Sequence, residues 1–123
     1  MKKFFTLILS ILTCLCFFAC TPSSLEKAEE KMKDAGYTVI TYSSEEAENL
    51  AIAISAVGNW KGAEGIVGGL SATKESGKQM SAVLLDTEIN AEELYSSIGG
   101  RPAIVDGKWV YWGDEGAIKD FTK

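Results

Sequence analysis

Apolar and polar positions divide this chain into an unbroken greasy opening and a patterned remainder. Residues 4–18 carry no charge and are mostly Phe, Leu, Ile and Cys. From Thr21 onward the pattern becomes periodic. Leu25, Ala28, Met32 and Ala35 share one helical face, Ser23 with Glu26 forms a capping-box pattern, and Gly36 is a helix stop. Glu29 and Lys33 are spaced for an i,i+4 ion pair. Residues 37–42 are β-branched and aromatic, so they read as a strand. Ser43 with Glu46 caps a second helix along Ala47, Leu50, Ala51, Ile54 and Val57, ended by Gly58; a strand over residues 52–57 is the alternative.

Residues 59–63 form a loop with Trp60. Residues 64–73 read as a strand despite Gly65, Gly68 and Gly69, which mark a bulge or a close backbone approach. Residues 74–77 turn into the next strand, 79–86, with Met80, Ala82 and Leu84 on one face and Val83 and Leu85 on the other. Asn90 with Glu93 caps a short helix through Ile98, which residues 99–102 break. Residues 103–105 and 108–112 flank an Asp106-Gly107 hairpin signal, and Asp114 caps a last helix with Ala117, Ile118 and Phe121 inward. The predicted fold is α+β. Between the end helices lies a ferredoxin-like βαββαβ antiparallel sheet, its last strand split as a hairpin and its helices on one face. That fold hosts many functions and implies none.

The opening segment changes the picture. Lys2 and Lys3, the apolar run, and Ala19 before Cys20 make up an export signal. A cysteine at the cut, followed at once by Thr21, Pro22, Ser23 and Ser24, resembles the signal of bacterial lipoproteins, whose thiol receives a diacylglyceryl group. The expected organisation is a removed signal over 1–19, an acylated Cys20 with a short tether over 20–24, and one domain over 25–123. The run of 4–18 is short for a retained membrane span, which needs about 20 residues. The expected location is lipid-anchored on the extracytoplasmic face of the cell membrane.

Removing residues 1–19 of 123 leaves 104, enough for one core. It also removes two of 12 basic residues, so 10 face 17 acidic ones; nucleic acid is not an expected partner. Cys14 and Cys16 leave with the signal and Cys20 is consumed by lipid. The domain then has no thiol, and the chain has no histidine. This excludes Ser-His-Asp and Cys-His catalysis and the usual zinc sites. No cofactor is expected.

Carboxylates are the remaining catalytic groups. A facing pair among Asp86, Glu88, Asp106 and Asp114 could serve a hydrolase, and all four together could hold calcium if they converge, though no EF-hand spacing is present. The alternative roles are caps, turns and solvated charges. The aromatic segment 107–113 is the most distinctive. Strand alternation puts Trp109 and Tyr111 on one face and Val110 and Trp112 on the other. An exposed Trp109–Tyr111 pair, with Trp60, is the candidate surface for a sugar ring, an aromatic ligand or a partner's side chain; the alternative is that the pair covers the sheet or packs under the last helix.

Cys20 with its signal, the run 35–39, the segment 107–113 and the run 117–121 together resemble small lipoproteins of low-G+C Gram-positive bacteria. That resemblance covers most of the mature chain and implies an outward-facing location. The function it leaves open is a non-catalytic binding or interaction module of the cell envelope, with an envelope protein or glycan as partner. A carboxylate-dependent hydrolase is the alternative.

Overall fold

A computed structural model of the protein describes residues 21–54, 64–98 and 103–123. Cys20, the signal segment and Trp60 lie outside the described residues. Helix α1 (Leu25–Asp34) is capped by Ser24, one residue later than predicted, whose hydroxyl accepts the Lys27 N–H at 3.1 Å. Ala28 and Met32 are buried, Leu25 and Ala35 pack beside them, and Lys33 meets Glu29 at 2.9 Å. Gly36 takes φ +96°, which ends the helix before β1 (Thr38–Tyr42).

Helix α2 (Ser44–Ile54) has the predicted reciprocal cap. The Ser43 N–H donates to Glu46 Oε1 at 2.9 Å, and the Glu46 N–H to Ser43 Oγ at 3.2 Å. Residues 52–54 are therefore helical; residues 55–57 lie outside the description. Strands β2 (Ile66–Thr73) and β3 (Gln79–Leu85) follow. In α3 (Glu88–Ile98) the capping hydroxyl is Thr87, not Asn90. It accepts the Asn90 N–H at 3.1 Å, while the Asn90 amide donates to Asp86 Oδ1 at 2.8 Å.

Strands β4 (Ile104–Asp106) and β5 (Trp109–Gly113) form the predicted hairpin with the loop moved by one residue. Asp106 pairs with Trp109, so Gly107 and Lys108 make the turn. Gly107 has φ +62° and Lys108 does not, the pattern of a type II′ turn. Helix α4 (Glu115–Thr122) closes the chain.

The five strands form one antiparallel sheet in the order β1-β2-β3-β5-β4. This departs from the ferredoxin-like interleaving. A split β-α-β unit sets a later strand between the two that flank the helix. Here β1 and β2 pair directly and antiparallel, because α2 begins where β1 stops and β2 begins at that same end. The helices also lie on both faces, not one. α1 and α4 cover a first face built on Leu70, Ala72, Met80, Ala82, Trp109 and Tyr111. α2 and α3 cover part of a second face, over Ile66, Val83, Leu85 and Val110.

Consecutive glycines admit both layers. A Cβ on Gly68 would lie 2.9 Å from Leu25 of α1, and one on Gly69 would lie 3.2 Å from Ala47 of α2. The register shifts between Ile66 and Gly68, a bulge of the kind the glycines predicted. Among the described residues, no helix is long and apolar enough to cross a membrane.

Candidate functional site

Trp109 and Tyr111 do not form a surface. They are 2% and 3% exposed, and both meet Phe121 of α4 edge-on, with ring centroids 5.1 and 5.3 Å away. The reason is α4, which folds back from Gly113 along the first face and covers β5. Each polar tip inside this cluster has a partner, as buried aromatic polar groups require. Trp109 Nε1 donates to the Pro22 carbonyl at 2.7 Å. Tyr111 donates to Asp106 Oδ2 at 3.3 Å, and Tyr37 to Asp120 Oδ2 at 2.7 Å. Burial first, and the neighbouring carboxylate second, push both phenols up to about 12. The Tyr37 hydrogen bond holds Asp120 below the usual carboxylate range.

The Trp109 contact also corrects the tether. Residues 22–24 are not a free linker: Pro22 is pinned to the core and Ser24 caps α1. The four carboxylates do not gather at one point, because Asp114 stands apart from the other three. Asp106 lies at the Trp109 end of the sheet, level with Leu84, and Asp86 and Glu88 follow the strand that ends there. Asp114 follows Gly113 at the opposite end of β5, about 13 Å along the strand. Asp114 occupies the N-cap position of α4, yet its side chain makes no capping bond. Its carboxylate instead accepts the Gln79 N–H at 2.9 Å, and its own N–H donates to the Gln79 carbonyl at 2.8 Å. Among the described residues, no group of three Asp or Glu side chains gathers as a metal ion would need.

The open chemistry lies on the second face, near the β2–β3 hairpin. Two cross-strand rows cross the sheet here. One runs Ile40, Ser71, Ser81 and Trp112, and the other runs Thr38, Thr73 and Gln79. The next row toward the Trp109 end is Tyr42, Gly69, Val83 and Val110, which α2 and α3 cover. The face thus turns from apolar to polar between adjacent rows.

Ser71, Thr73, Gln79, Ser81 and Trp112, with Met80 and Gly113, line a groove of about 200 Å³. The double bridge between Gln79 and Asp114 braces its rim. Gly113 completes that rim at φ +135°, where a Cβ would lie 2.5 Å from Met80 Cα. Trp112 is half-buried, packed against the α2–α3 core on one side and the groove on the other.

Hydroxyls form a chain that leads into the groove from Tyr42. Tyr42 donates to Ser71 Oγ at 3.1 Å, and Ser71 and Ser81 share a hydrogen bond at 2.9 Å. Three hydroxyl protons serve two bonds, so one serine proton stays available. Among the described residues, the side chains of Thr73, Gln79 and Trp112 have no protein hydrogen-bond partner.

Sequence reasoning passed over this groove. Its signal was there: Ser71 and Thr73 before the hairpin, Gln79 and Ser81 after it, all at alternate positions that share one face. No protein-family model, no curated protein and no solved structure matches this chain.

Proposed function

We propose that this protein is a lipid-anchored, extracytoplasmic binding module of a bacterial cell envelope, without chemistry of its own. The observation that carries the reading is where the chain joins the domain. Pro22, two residues after the cysteine of the lipoprotein-like signal, is clamped by the Trp109 indole N–H. Two residues span at most about 7 Å, so a lipid on Cys20 would hold the Trp109 end of the sheet against the bilayer. The groove lies at the far end of the same strands and would face outward. The acidic balance of the chain supports a lipid anchor over a charged one, because anionic headgroups repel it. A binding role is supported by a groove with unused polar groups at one pole and by Asp106 and Asp114 being engaged apart from one another.

The test compares the full chain with Cys20→Ser in bacterial cells fed labelled palmitate. The expected result is label and membrane sedimentation for the parent chain, and loss of both in the variant. An unlabelled parent chain recovered from the medium would overturn the anchor.

A further inference from the structure

We infer that the Trp112 groove is a binding site for a neutral saccharide ring, which names the ligand class of the binding module proposed above and rests on that reading. Three features select this class. First, no charged side chain lines the groove, although the chain holds 17 acidic residues; the carboxylate at its rim, Asp114, is engaged by the Gln79 N–H, and an anionic ligand would find no cation in the lining. Second, its free groups are those that read hydroxyls: the Gln79 amide, the Thr73 hydroxyl, one serine proton and the Trp112 indole N–H. Third, these groups stand around one half-exposed indole. A pyranose has an apolar C–H face ringed by hydroxyls, so it stacks on such a ring and hydrogen-bonds at its rim.

The size fits as well. Ser71 and Trp112 stand two strands apart in one row, about 10 Å across, and about 200 Å³ is on the scale of a single sugar ring. A peptide strand is the weaker fit. It would pair with a sheet edge, whereas this groove crosses the central strands β2, β3 and β5.

The test is calorimetric titration of the full chain in detergent with chitotriose and maltotriose, and with triglycine and glucose 6-phosphate as contrasts. The expected result is saturable binding of at least one neutral trisaccharide. The Trp112→Ala variant should weaken it on the order of tenfold, about the loss of one aromatic contact. Because Trp112 also touches the core, the exposed double variant Thr73→Ala/Gln79→Ala is the second arm. It should fold as the parent does and weaken binding several-fold, while Lys108→Ala at the opposite pole should bind as the parent does. Absence of saturable binding to either trisaccharide overturns the inference. So does binding unchanged in both groove variants, or binding of triglycine or glucose 6-phosphate in preference to the trisaccharides. Cys20→Ser separates the two readings: the anchor proposal fails if its location is unchanged, and the groove proposal fails only on the titration.

Discussion

Trp109 and Trp112 stand three residues apart on one strand and meet opposite fates. Trp109 faces the side that α1 and α4 cover fully, and its N–H is spent on the Pro22 carbonyl. Trp112 faces the side that α2 and α3 cover only in part, and its N–H is open. The difference lies in the rows beside them. On the first face Met80, Ala82 and Leu84 of β3 are apolar to the end of the strand. On the second, Val83 and Leu85 give way to Ser81 and Gln79. An antiparallel sheet tolerates water on a polar face. The polar rows therefore set how far the second helix layer covers the sheet, and leave a place for a ligand.

The largest effect that tests this contrast is on stability. Phe121→Ala should cost about 3–5 kcal/mol, because the ring is fully buried between Trp109 and Tyr111. Trp112→Ala should cost less than half of that in urea denaturation. Equal losses would break the contrast. Next comes pH. Two phenols on the first face titrate at about 12 when folded and at about 10 when unfolded, so the unfolded chain releases protons first. Stability should be full below pH 10 and fall as pH rises from 10 to 12. Asp120 has the opposite sign: its depressed folded value supports the fold above the unfolded carboxylate pKa, and that support is lost on acidification. Tyr37→Phe should flatten part of both slopes.

Smaller effects sharpen the comparison. Trp109→Phe removes the donor to Pro22 and should cost about 1 kcal/mol, with faster proteolysis near residue 22. Trp112→Phe should stay within about 0.5 kcal/mol of the parent chain, since no protein bond is lost. Ser81→Ala should cost under about 1 kcal/mol, because Ser71 keeps its bond from Tyr42.

Local structure was largely legible in the sequence, because caps, stops and alternation act over a few residues. The Ser43–Glu46 box, the Gly36 stop and the two faces of residues 79–85 are as predicted. Caps and turns slipped by one to three residues where two neighbouring residues could serve: Ser24 beside Ser23, Thr87 near Asn90, Gly107-Lys108 beside Asp106-Gly107. Strand order was not legible. The element order fits either an interleaved sheet or direct pairing of β1 with β2, and the choice rests on contacts between residues far apart in the chain. In the sequence the aromatic pair stays open between a surface and a place under the last helix, because alternation reveals two faces without saying which one α4 covers. The groove was missed for a related reason: its residues lie on three strands and meet only in the folded register.

The most direct test is a titration of the ¹⁵N-labelled full chain in detergent with the tighter trisaccharide, following the indole N–H resonances. Assignment comes from Trp109→Phe and Trp112→Phe. The account predicts that the Trp112 signal moves with saturation, while the Trp109 signal stays fixed and exchanges slowly with water. A shifting Trp109 signal beside a stationary Trp112 signal, or rapid exchange at Trp109, would contradict it.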